Sequence, residues 1–188
     1  MISFYKNNPY PLLNLAECAY QDTQKHAAEV DAFLGFRCAD VENVLHQKAS
    51  QSQPNLQSPL QLQQQSKPQQ QNWSHLSEQA FQTPYIELRF ILDLLNLKSG
   101  DIVSDLGCAY GRMGLILDKH YPGISFLGYE LESLRVQEAQ RIFAQEQVSS
   151  LIKIQEANLQ DPSFALPNSD VYFIFDYGTE AAVRQTLE

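Results

Sequence analysis

A chain of 188 residues, 44% of them apolar, is long enough for one domain with a proper core. Its net charge of −9, with no cluster of Lys and Arg, excludes a protein that holds nucleic acid mainly by neutralising phosphates, and its apolar runs fall far short of the roughly 20 residues that span a bilayer. No membrane partner and a cytoplasmic location are therefore expected, since the opening MISFYKNNPYPLL carries neither a charged leader nor a long apolar core.

Residues 9–47 place apolar side chains at helical spacing: Leu12, Leu15, Ala16 and Ala19, then Val30, Phe33 and Leu34, then Val41, Val44 and Leu45. This predicts two or three helices with a break at Gly35, in a helical N-terminal segment of residues 1–48. Residues 49–72 are dominated by Gln, Ser and Pro. Such a segment buries too little apolar surface to offset its ordering entropy, and Pro54, Pro59 and Pro68 block a helix, so a disordered linker is expected.

From Trp73 onward apolar strands and amphipathic helices alternate, the pattern of a parallel α/β sheet. A helix is predicted from Thr83-Pro84 to about residue 97, with Ile86, Phe90, Ile91, Leu94 and Leu95 inward. Strands follow at 101–106, 125–130, 151–156 and 170–175. Helices are predicted at 112–120, at 132–147 with Leu134, Ala139, Ile142 and Phe143 inward, and from 179 onward. Cys18, Cys38 and Cys108 have no paired spacing, and the four histidines are scattered. They indicate neither a disulfide framework nor a metal site, and the cysteines read as small apolar fillers.

The chemistry concentrates where the strands end. Gly107 and Gly111 bracket the turn after the first strand, where missing Cβ atoms let the chain bend and let a ligand reach main chain. Asp105 is placed to take an ammonium group. Glu130, ending the second strand, stands where a ribose-binding carboxylate belongs. After the third strand, Asn158 offers an amide and Leu159 an apolar cover for a purine ring. Asp176 and Tyr177 follow the fourth strand and are the candidates for the catalytic, acceptor side. Two candidates also have a plainer reading, Glu130 as a helix-capping acid and Asn158 as a turn former. Tyr110 and Arg112 either touch ligand or pack and pair on the helix, and Trp73 and Phe81 are expected to cover the sheet.

The series FQTPYIELRFIL, GDIVSDLGCAYGR and LGYELE makes residues 73–188 resemble class I S-adenosylmethionine-dependent methyltransferases, and within them the non-SET lysine methyltransferases, with their threonine-containing leading segment, D-L-G-x-x-x-G-R turn and G-x-E second strand. The resemblance implies an α/β, Rossmann-like, mostly parallel sheet with strand order 3-2-1-4, preceded by the helical N-terminal segment. It implies S-adenosyl-L-methionine as cofactor, no metal, and Thr83 and Tyr85 at the ligand's methionine end. The acceptor it favours is a protein lysine or other amine, then a small molecule.

Two features depart from the family pattern. Ala109 stands at the middle glycine of G-x-G-x-G, and no Asn/Asp-Pro-Pro-Tyr follows the fourth strand, which speaks against methylation of nucleobases and glutamine amides. A nicotinamide-dependent oxidoreductase would want a glycine where Arg112 stands. A non-catalytic binding module is the alternative from another class. Class I enzymes carry three further strands, so the chain is expected to be truncated, or else its VYFIF strand forms an edge open to self-association with a second copy.

Overall fold

The computed structural model describes residues 2–51, 79–175 and 179–187. A single turn of 3-10 helix at Leu15–Glu17 leads into α1 (Tyr20–Leu34) and α2 (Cys38–Gln51). The order then runs α3 (Tyr85–Leu94), β1 (Ile102–Leu106), α4 (Arg112–His120), β2 (Ser125–Glu130), α5 (Ser133–Gln145), β3 (Ile152–Glu156), β4 (Val171–Ile174) and α6 (Glu180–Leu187). The four strands form one sheet, parallel as the alternation of strands and helices predicts and in the order β3-β2-β1-β4 that the resemblance implies. Among the described residues β4 pairs with β1 alone, and its four residues are half-buried, as befits an edge.

Register fixes what shares a face. Gly128 pairs with Ile154 on one side and Asp105 on the other, and Asp105 pairs with Phe173, so a row crosses all four strands at one level. Glu130 lies two residues beyond Gly128 and therefore on that same face. The face carries the main core, in which Val103, Phe126, Ile152 and Ile154 meet Met113, Ile116, Ala139 and Ile142 of α4 and α5. Gly114 lets α4 sit tight on the sheet, because a Cβ there would lie 2.8 Å from Ile152. On the opposite face Leu106, Tyr129 and Leu159 form a second, smaller core.

The first N-terminal helix belongs to the main core: Ala27, Val30 and Leu34 of α1, with Tyr10, pack against Tyr85, Leu88 and Leu92, while Cys38 of α2 packs with Ala109 and Tyr110 of the turn. The inward face of α1 differs from the expected one. Thr23, His26, Ala27, Val30, Asp31 and Leu34 are buried, whereas Phe33 is exposed, as are Leu12 and Val44. Thr23 and Asp31 occupy inward positions because they find partners across the interface, in Glu87 and Arg112. The helix α2 continues to Gln51, beyond residue 48, since nothing before Pro54 stops it. The rest of the expected linker lies outside the described residues.

In α3 the inward side is Tyr85, Ile86, Leu88 and Leu92, while Leu94 is 69% exposed. The helix ends before residue 97 because Asn96 adopts a left-handed φ of 56°, a role open to asparagine. In α5 Ala139, Ile142 and Phe143 are buried as expected. Leu134 is only half-buried, and the charged Arg135 and Glu138 take inward positions.

Candidate functional site

The turn joining β1 to α4 is built on three left-handed residues: Gly107 (φ 96°), Ala109 (φ 48°) and Gly111 (φ 72°). Alternate left-handed residues coil the chain, and the amides of Gly107 and Cys108 both donate to the Tyr129 carbonyl at 2.9 Å. That pins the turn to the end of β2. Gly128 makes room beneath it, because a Cβ there would stand 2.8 Å from the Cys108 sulfur. At Gly111 packing requires glycine: a Cβ would lie 2.8 Å from Cζ of Phe143 in α5.

Asp105, Gly107 and Ala109 line a cleft with Phe81, Thr83 and Phe173 as further walls. Its mixture of aromatic wall, bare backbone and one acid is that of a small-molecule site. Asp105 is 7% exposed. Burial, and then the negative charge of Glu130, push its carboxyl up to about 8, so it is neutral at pH 7. Burial raises Glu130 as well, against the opposing pull of Arg135 and of two backbone amides. Burial also drives the Cys108 thiol up, which makes it a filler between two acids rather than a nucleophile.

Glu130 is anchored at both oxygens. The Ala109 amide donates to Oε2 at 3.0 Å, the Glu132 amide donates to Oε1 at 2.9 Å, and Arg135 Nη1 stands 3.5 Å from Oε1. The plainer role is thus the one in view: this carboxylate ties the turn to the start of α5. The middle position of the turn takes alanine at a backbone angle that favours glycine, with its amide spent on Glu130.

The remaining candidates separate. The Thr83 side chain borders the cleft and its carbonyl accepts from Arg112 Nη1 at 3.4 Å. Tyr85 is fully buried, stacked on Tyr10 at 5.1 Å, with its hydroxyl donating to Asp31 at 2.8 Å, so it does not enter the cleft. Asn158 is exposed and its Oδ1 accepts from the Gln160 amide at 3.0 Å, a turn-forming bond. Leu159 is buried in the smaller core. Asp176 and Tyr177, like Trp73, lie outside the described residues. Tyr110 and Arg112 pair within the protein: Tyr110 donates to Glu42 at 2.7 Å, and Arg112 pairs with Asp31.

Sequence reasoning missed Asp31, Glu42 and Arg135, which hold the turn from behind, and the cleft wall Phe173. The available signal was position: Asp31 follows Ala27 by four and precedes Leu34 by three, and Arg135 precedes Ala139 by four and Ile142 by seven, so each sits on an apolar stripe.

No family model and no curated protein matches this chain. Among solved structures it is similar to YjhP from E. coli, at 25% identity over 54% of this chain and 42% of that one, with a TM-score of 0.44. It is also similar to a TehB-like SAM-dependent methyltransferase from Corynebacterium glutamicum, at 21% identity over 45% and 41% and a TM-score of 0.37. PKMT2 from Rickettsia typhi in complex with AdoHcy matches at 17% identity over 40% and 15%, TM-score 0.36. The chain spans less than half the length of each of these proteins. With every score below 0.5, the functional reading rests on the site itself.

Proposed function

We propose that this chain binds S-adenosylmethionine in the cleft beside the β1–α4 turn and works as a class I methyltransferase. One observation carries the reading: two buried acids, Asp105 and Glu130, share a face of the sheet at the carboxyl ends of neighbouring parallel strands, on either side of a turn with three left-handed residues. That is the crevice in which open α/β sheets take nucleotide-like ligands. The fit is also electrostatic. Asp105, held neutral by burial and by the charge of Glu130, would regain its ionised form beside the ammonium of such a ligand.

When bound, the sulfonium supplies an electrophilic methyl group. Asp105 holds the ammonium end, Glu130 takes the ribose diol, and the main chain at Gly107 and Ala109 admits close approach. Phe81 and Phe173 keep water from the methyl-bearing end. The acceptor in this reading is an amine, a protein lysine first and a small molecule next. The resemblance of the sequence supports it, and so do the aromatic cleft walls Phe81, Phe173 and Phe175, which suit a cationic head group. Asp176 and Tyr177, next in sequence after Phe175, would orient the acceptor and take part in its deprotonation. We read the limits 1–48, 49–72 and 73–188 as the working division of the chain, its location as cytoplasmic, and the open side of β4 as a place for self-association.

The test is transfer of an isotopically labelled methyl group from S-adenosylmethionine to a lysine-containing peptide mixture and to small amines. Label in the peptide or amine is expected. Binding of the cofactor without transfer to any amine would leave a binding module instead.

A further inference from the structure

Behind the turn lies a chain of buried polar contacts that links the N-terminal helices to the cofactor carboxylate. Glu42 of α2 is 4% exposed, yet its carboxylate is saturated: Arg135 donates through Nε to Oε1 at 2.8 Å and through Nη2 to Oε2 at 2.9 Å, and Tyr110 donates to Oε1 at 2.7 Å. The forked bond fixes the guanidinium plane, and the Phe81 ring, 4.5 Å from its central carbon, covers it. The remaining nitrogen, Nη1, is thereby aimed at Glu130 Oε1 at 3.5 Å. Glu130 in turn receives the Ala109 amide from inside the turn.

We infer that Arg135, held by Glu42, is a positioning residue for the cofactor carboxylate Glu130, so that helix α2 is a working part of the cofactor site. The inference rests on the cofactor reading above. Four residues from three separate stretches of chain are joined in series, α2 to α5 to β2 to the turn, and each link is a charged or backbone hydrogen bond or an ion pair shielded from water. A structural brace alone needs only the Glu42–Arg135 fork. The third arm of Arg135, reaching the acid that faces the ligand, is what a brace does not require.

Around Glu130 the titratable groups are Asp105 and Cys108 from β1 and the turn, Glu132 from the start of α5, and Arg135, with Glu42 and Tyr110 behind it. Arg135 is the single cation in this set. Without it Glu130, already raised by burial, holds a proton to higher pH and loses acceptor capacity for the ribose.

The experiment is calorimetric titration of the full chain with S-adenosylhomocysteine between pH 5 and 8 in wild type, Arg135→Met, Arg135→Lys and Glu42→Gln, with circular dichroism to establish folding. Arg135→Met is expected to weaken binding by about tenfold or more. It should also steepen the acidic limb of the affinity profile, because a proton on Glu130 must then be displaced in addition to the one on Asp105. Arg135→Lys restores the limb. Glu42→Gln, which keeps the acceptor for Tyr110, weakens binding by about tenfold with the fold intact. Folded Arg135→Met with wild-type affinity and pH profile overturns the inference. If that variant does not fold, unchanged binding by folded Glu42→Gln overturns it. Absence of binding by wild type overturns the cofactor reading together with this inference, whereas wild-type binding with indifferent variants removes this inference alone.

Discussion

Arg112, the first residue of α4, and Asp31, in the last turn of α1, form an ion pair whose side chains are 3% and 9% exposed. The Tyr85 hydroxyl and Gln79 Nε2 also donate to Asp31, at 2.8 and 2.9 Å, and Gln79 Oε1 accepts from Arg112 at 2.9 Å. Arg112 stands directly after the turn and Tyr110 within it, so the N-terminal helices grip the site on both sides, through Asp31 and through Glu42.

A buried pair is costly to break from one side. Asp31→Ala leaves a charged guanidinium without its carboxylate, and urea unfolding is expected to show a loss of about 3–5 kcal/mol. The double variant Asp31→Leu/Arg112→Met should lose less than the single one, because no charge is then stranded. Equal losses in the two proteins would mean that the pair contributes packing alone.

The buried Asp105 couples stability to pH with a definite sign. Its folded-state value of about 8 lies above that of the unfolded chain, so the stability it contributes is complete below the ordinary carboxylate range and is lost as pH rises toward and through 8. Asp105→Asn removes this dependence. The variant should melt close to wild type near pH 4, increasingly above it as pH rises, and by a constant margin beyond about pH 8, in the absence of ligand. His120, whose protonation is held down to about 4 by burial and by the charges of Arg89 and Lys119, acts on the acid side in both proteins and cancels in the comparison. A constant difference in melting temperature across this range would contradict the assignment.

The two small residues of the turn should respond in opposite ways. Gly111→Ala places a methyl 2.8 Å from Phe143 at a φ of 72°, and a loss of about 2–4 kcal/mol is expected in denaturant unfolding. Ala109→Gly relieves a φ of 48° while loosening the unfolded chain, and the two effects nearly offset, leaving a change within about 0.5 kcal/mol. A large loss at Ala109 would show that its methyl packs against something the turn needs.

Much of this site was legible in the sequence because it depends on local order. Strand, glycine, helix and strand-ending acid follow in a fixed sequence that predicts a parallel sheet, and the order implied by the resemblance then places Asp105 and Glu130 together. The N-terminal helices were less legible. Their inward sides carry Asp31 and Glu42, whose partners Arg112 and Arg135 lie far along the chain, and no periodicity announces a charge that is buried because a distant opposite charge awaits it. Tyr85 was misjudged for the same reason, since Asp31 draws its hydroxyl into the interior. Gly111 matched the motif, but its space is taken by Phe143, a contact between residues 32 positions apart that spacing rules do not encode.

The most direct measurement is the affinity for S-adenosylhomocysteine by calorimetry at pH 6 and at pH 8.5, in two buffers of different ionisation enthalpy. A cationic ligand end beside Asp105 favours its ionised form and lowers its pKa, so binding must release a proton. Affinity should therefore rise with pH by up to about tenfold per unit until Asp105 is already ionised in the free protein. Tight binding at pH 8.5, weaker binding at pH 6 and a buffer-dependent heat at the lower pH are the expected result. No binding heat at either pH would contradict the assignment of this cleft to an adenosyl sulfonium ligand.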